Sequence, residues 1–123
     1  MSKSITLYYA NWCGHCHSFK PEWEKLKLEL NKHNIKYNEY EHSINSKEIK
    51  KAHVVGFPTI RIKIGKDEFD YEGERTTDAI MSTLSNGMRG GGHYIRCTNK
   101  HRCRKWDECY NCYCLVLKHF NLQ

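Results

Sequence analysis

The chain has 123 residues, 39% of them hydrophobic and 28% charged, which fits one soluble domain with an appendage. No apolar run approaches the ~20 residues of a membrane helix. The opening "MSKSITLYYA" lacks the apolar stretch of a signal peptide. The formal net charge of +6 is uneven: residues 1–87 hold 13 Lys+Arg against 12 Asp+Glu, and residues 88–123 hold 7 against 2. The basic character therefore belongs to the C-terminal segment, where it is either a solvated face or a contact for an acidic partner.

"SITLYYA" (4–10) is rich in β-branched and aromatic residues and predicts a buried strand. Phe19, Trp23, Leu26 and Leu30 recur at helical spacing and predict an α-helix ending at "NKHN" (31–34), with Pro21 kinking it. "IKYNEYE" (35–41) predicts a second strand. "SINSKEIKKAHVV" (43–55) predicts a short helix capped by Ser46. "TIRIKI" (59–64) alternates as a third strand, "GKD" (65–67) is a hairpin turn, and "EFDYE" (68–72) is its partner. "TTDAIMSTLSNG" (76–87) predicts a closing helix with Thr76 or Thr77 as cap and Gly87 as stop. The order strand–helix–strand–helix–strand–strand–helix predicts an α/β layered domain over 1–87, its first two strands parallel. "GMRGGGHY" (87–94) reads as a linker to a basic, Cys-rich extension over 88–123.

The sequence holds seven cysteines, an odd number that leaves a thiol over from any full set of disulfides. Cys13 and Cys16 lie where a strand gives way to a helix. A sulfur at a helix N-terminus meets unpaired N–H groups and the positive end of the dipole, which favours thiolate. Cys16, one turn on, should be more buried. An exposed thiolate with a buried partner suits thiol–disulfide exchange: Cys13 attacks and Cys16 resolves. Zinc at this pair would need two more ligands. His15 and His17 are nearby, but side chains at a helix start point apart, and no second Cys-x-x-Cys lies within 1–87. A structural staple across so short a loop would restrict little of the unfolded chain.

"YYANWCGHCHSFKPEWEKL", with "VGFPT" (55–59) and "YEGERTTDAI" (71–80), resembles the thioredoxin superfamily, and the Cys-Gly-His-Cys box resembles that of protein disulfide isomerases. The resemblance implies a thioredoxin-like fold in its short, glutaredoxin-like form: a four-stranded mixed sheet flanked by helices. It implies a cis peptide at Pro58, an arginine at Arg75 able to turn toward the active site, and a substrate lip of Trp12, Gly56 and Phe57. An extended peptide would pair with the backbone beside Pro58. His15 beside the thiolate stabilises the reduced form, which favours an oxidase or isomerase over a reductase. No organic cofactor is implied, and the partners are protein dithiols and disulfides plus an electron-relay partner. One departure stands out. The family's buried carboxylate falls at Leu7, and its partnering lysine falls at Glu39. Either the acid has crossed strands and Glu39 points inward beneath Cys16, with Glu41 left outside, or Glu39 is an ordinary surface residue.

The extension holds Cys97, Cys103, Cys109, Cys112 and Cys114 with His93, His101 and His119. Three readings stand: two disulfides with one thiol over, a structural zinc site using Cys97, Cys103, Cys109 and Cys112, or a second dithiol relaying electrons to the first pair. The functional expectation is a thiol–disulfide oxidoreductase that forms or isomerises protein disulfides through Cys13 and Cys16. The alternative is a weakly active adaptor whose tail binds an acidic partner or, less in keeping with the whole, nucleic acid. With no leader or retention signal visible, cytoplasmic placement is expected, with a virus-encoded disulfide pathway as the analogy.

Overall fold

The computed structural model describes residues 2–86, 109–110 and 113–115. Strand β1 (Lys3–Tyr9) leads into helix α1 (Gly14–Lys32), then β2 (Lys36–Glu41), α2 (Ser46–Lys51), β3 (Gly56–Phe57), β4 (Thr59–Ile64), β5 (Asp67–Asp70) and α3 (Thr77–Asn86). Two short strands follow, β6 (Cys109–Tyr110) and β7 (Tyr113–Leu115). The main sheet runs β2-β1-β4-β5. β1 is parallel to β2 with Leu7 opposite Glu39, and antiparallel to β4 with Leu7 opposite Ile60. This is the expected four-stranded mixed sheet flanked by helices.

Strand alternation sorts the core into two sides. Ile5 and Leu7 of β1, with Ile60, Ile62 and Ile64 of β4, meet Phe19, Trp23, Leu26 and Leu30 of α1 and Ile80 and Leu84 of α3. Tyr8, on the opposite face of β1, packs with Ile49 of α2, Val54 and Phe57, and this second cluster contains Cys13 and Cys16. Most of the apolar burial that holds the fold together thus lies behind the cysteine pair.

The helix over 14–32 continues through Pro21. Asn34, at φ 55°, turns the chain toward β2, a conformation that Asn tolerates better than most residues. α2 is shorter than predicted, and its N-cap is Asn45 rather than Ser46. The cause is Glu41. Its carboxylate accepts from the N–H groups of Ser43 and Ile44, while Asn45 Oδ1 accepts from the Glu41 N–H, so 41–45 is committed to a turn. His53, at φ 58°, closes the other end. Gly65, at φ 61°, makes the β4–β5 turn where positive φ favours glycine. Thr76 is the cap of α3, its Oγ1 accepting from the Ala79 N–H at 3.2 Å. Gly87 and the 87–94 linker lie outside the described residues.

β3 and the extension strands were not expected. They form a separate antiparallel sheet of order β3-β7-β6, with Gly56 opposite Leu115 and Phe57 opposite Cys114. No described helix is long and apolar enough to cross a membrane.

Candidate active site

The site is built where β1 stops. Cys13 is the N-cap of α1, with extended φ −95° and ψ 119°. Its N–H donates to the Ala10 carbonyl at 3.1 Å, and its own carbonyl accepts from the N–H groups of Cys16 and His17. The tight turn sets Cys13 Sγ 3.5 Å from the carbonyl oxygen of Phe57. The Phe57–Pro58 peptide is cis. Trp12 sits edge-on to both His42 and Phe57, at 5.6 and 5.8 Å between ring centres, and its Nε1–H donates to His42 Nδ1 at 3.1 Å. His42 was missed by sequence reading; its only signal was a position just after the second strand.

Three expectations need correction. Cys13 is not the exposed partner: it is 0% exposed and Cys16 8%. β7 pairs along β3, whose Phe57 carbonyl lies against Cys13 Sγ, and β7 also meets α1. Phe57, predicted as part of an open lip, is likewise 0% exposed.

Glu39 does not turn inward. Its side chain is 40% exposed. It accepts from Trp23 Nε1–H at 2.8 Å and pairs with Lys27 at 3.5 Å. It borders a small cavity of about 80 Å³ that also touches Leu7, Cys16 and Pro58, but the carboxylate is held at the outer rim by the indole and the ammonium. The buried carboxylate is instead Glu41, 2% exposed. Burial pushes its carboxyl up, but hydrogen bonds from Ser43, Asn11 and Ile44 outweigh that and hold it below the usual carboxylate range. All of these donors serve the ionised form.

Burial pushes the Cys16 thiol up to about 12, opposed by a backbone group of Ala10 and the Arg75 guanidinium, and reinforced by the Glu41 charge. Arg75 is thus within electrostatic reach of Cys16. Burial pulls its pKa below the guanidinium norm, opposed by Tyr113 and by Cys16. Its guanidinium lies 4.6 Å from the Tyr113 ring centre, a cation–π distance. Its Nη2 has no hydrogen-bond partner among the described residues. His15, between the cysteines, is 3% exposed.

Cys16 is a free, buried thiol, and Cys13 is held in a disulfide. The two are thus brought together as one site but not bonded to each other. Of the four cysteines suggested for zinc, Cys97, Cys103 and Cys112 lie outside the described residues, and Cys109 starts β6. No group of three or more His, Cys, Asp or Glu side chains is placed to hold a metal among the described residues.

A family model described as Thioredoxin matches residues 2–86. Protein disulfide-isomerase A4 from Bos taurus is 38% identical over 79 residues, 63% of this chain and 12% of the relative. Protein disulfide-isomerase from Gallus gallus is 35% identical over 88 residues, 68% of this chain and 17% of the relative. The chain thus spans less than a fifth of these relatives' lengths. The solution structure of the first thioredoxin domain of mouse Protein disulfide-isomerase A4 matches with a TM-score of 0.58 and 31% identity, covering 68% of this chain and 61% of that one. The Trx4 domain of ERdj5, at 21% identity and a TM-score of 0.60 over 70% of this chain and 79% of that one, shares the fold. None of these comparisons supports the adaptor reading.

Proposed function

Because the chain belongs to the thioredoxin family, we propose that it is a protein thiol–disulfide oxidoreductase that forms or rearranges disulfides through Cys13 and Cys16. The observation that carries this reading is the position of Cys13 Sγ, at the N-cap of α1 and 3.5 Å from the Phe57 carbonyl beside Pro58.

In the reaction, Cys13 exchanges with a substrate sulfur. When the oxidised centre meets a substrate thiolate, that thiolate attacks Cys13 Sγ and Cys16 leaves. A second substrate thiol then attacks the mixed disulfide, and Cys13 leaves as a thiolate stabilised by the start of α1. In the isomerising direction, Cys13 thiolate attacks a substrate disulfide and Cys16 is the escape route. Leaving or attacking requires Cys16 as thiolate, which its burial opposes. Arg75, within electrostatic reach, is the group that offsets that cost. Glu41 is spoken for by the 41–45 turn, so the Cys16 proton goes to water. The cis-proline edge receives the substrate backbone, with Trp12 beside it, and His15 biases the pair toward the reduced form. The resident partners are protein dithiols.

The test is oxidative refolding of a reduced, denatured protein in a glutathione buffer. The full chain accelerates refolding, and Cys13→Ser lowers the rate at least about a hundredfold, toward the glutathione background. Equal rates for Cys13→Ser and the unaltered chain would overturn the proposal.

A further inference from the structure

The strand β7 lies where an extended substrate would lie. It pairs antiparallel with β3, the two residues that lead into Pro58, and puts Cys114 opposite Phe57. Phe57 is also the residue whose carbonyl touches Cys13 Sγ at 3.5 Å. Strand addition at an exposed edge is a general way to bind peptide, the backbone supplying affinity and alternate side chains supplying selection.

Three further observations converge on this strand. Cys13 is in a disulfide while Cys16 is a free thiol, and the other five cysteines of the chain all lie in the extension. Tyr113, next to Cys114, covers the Arg75 guanidinium at 4.6 Å. The β6–β7 register puts Cys109 directly opposite Cys114. Residues facing each other in an antiparallel pair have Cα atoms about 4.5–5.5 Å apart, within the range a disulfide spans. The strands thus bring Phe57, Cys114 and Cys109 into one row.

We propose that the β6–β7 hairpin is an internal substrate of the Cys13–Cys16 centre, with Cys114 the residue that exchanges with Cys13 and Cys109 the partner of Cys114. This rests on the oxidoreductase reading above. Cys13 thiolate attacks Cys114 Sγ of a Cys109–Cys114 disulfide. The Cys13–Cys114 bond forms, the Cys109–Cys114 bond breaks, and Cys109 leaves as a thiolate that takes a proton from water. Cys16 thiolate then attacks Cys13 Sγ, forming Cys13–Cys16 and releasing Cys114. The centre has lost two electrons, the hairpin has gained them, and two thiol protons have moved from the centre to the hairpin. In reverse, an oxidised centre draws two electrons from the hairpin dithiol. The state with Cys13 bonded and Cys16 free is the midpoint of this exchange. Burial opposes ionisation of the Cys16 thiol, so the second step is the slower of the two in this scheme. The hairpin thereby carries electrons between the buried centre and an outside dithiol or disulfide protein, and an external peptide must displace β7 to reach the same edge.

The test uses the full chain, equilibrated with oxidised and reduced glutathione, quenched in acid, alkylated and cut with trypsin without reduction. Cys13 and Cys16 fall in one tryptic peptide and Cys109, Cys112 and Cys114 in another, and fragmentation assigns the linked sulfurs. The expected result is a Cys13–Cys114 link in the unaltered chain, enriched in Cys16→Ser, retained in Cys109→Ser and lost in Cys114→Ser. Its formation is independent of protein concentration. The inference is overturned if Cys13 is found bonded only to Cys16, to Cys97, Cys103 or Cys112, or to a second chain. Mapping the unaltered chain gives this answer even if a substituted chain does not fold. The outcome is separable from the proposed function: refolding of an outside protein by Cys114→Ser continues if only the inference fails, and is absent from the unaltered chain if the proposed function fails.

Discussion

Glu41 shows how a single carboxylate is placed by its donors rather than by strand alternation. It accepts from Asn11 N–H at 2.9 Å, Ser43 N–H at 2.8 Å, Ser43 Oγ–H at 2.6 Å and Ile44 N–H at 3.1 Å. The Asn11 contact ties the end of β2 to the segment just before Cys13. Because folding lowers its pKa from 4.5, the unfolded chain binds this proton more tightly. The stabilisation is therefore complete above pH ~4.5 and is lost as pH falls through the lower folded value. Glu41→Gln is expected to cost about 2 kcal/mol at neutral pH, since the amide cannot accept all of these bonds. It should also flatten the acid limb of the stability curve. Urea melts of both proteins at neutral and acid pH read this directly; equal loss of stability on acidification would contradict it.

At the scale of elements, α1 and α3 are joined by Glu22. Its Oε1 accepts from the Thr77 N–H at 2.7 Å and the Thr77 hydroxyl at 2.9 Å, so a residue in the third turn of α1 satisfies an orphan donor at the start of α3. These bonds, the main cause, hold the Glu22 carboxyl below its usual range. Glu22→Ala should destabilise the fold by about 1 kcal/mol, the size of a lost helix cap. It should leave Cys13 reactivity unchanged, because the junction lies away from the cap of α1. Thermal denaturation together with the alkylation rate of Cys13 in the reduced chain checks both halves. The β3–β7 pairing is the contrasting case: two and three residues long, it offers few backbone bonds, so the Cys13–Cys114 exchange proposed above would add a covalent tie that the pairing alone lacks.

Over the whole molecule, the elements with a sustained period were legible in the sequence. Phe19, Trp23, Leu26 and Leu30 marked α1 because a helix needs one continuous apolar face, and all four are buried. Ile60, Ile62 and Ile64 marked β4 for the same reason at period two. The cysteine pair was legible because its chemistry needs a helix start. The burial of Cys13, Phe57 and Glu41 was not. Tyr37, Glu39 and Glu41 share a face by alternation, but β2 ends at Glu41 and the chain folds back, so donors from 43–44 close over it. Strands of two or three residues have no period to read, and a contact between Phe57 and Cys114 is set by tertiary pairing rather than by any local signal. The composition break near residue 87 was visible; the strand that the segment beyond it lays against the site was not.

The central claim is that Cys13 is the sulfur through which electrons enter and leave the Cys13–Cys16 pair. The most direct measurement is covalent trapping by Cys16→Ser, which cannot resolve a mixed disulfide, mixed with a reduced unfolded protein and mild oxidant and then alkylated in acid. The account predicts a reductant-sensitive adduct joined through Cys13, and its absence when Cys13→Ser is added to the same chain. An adduct that survives Cys13→Ser at equal yield would contradict it.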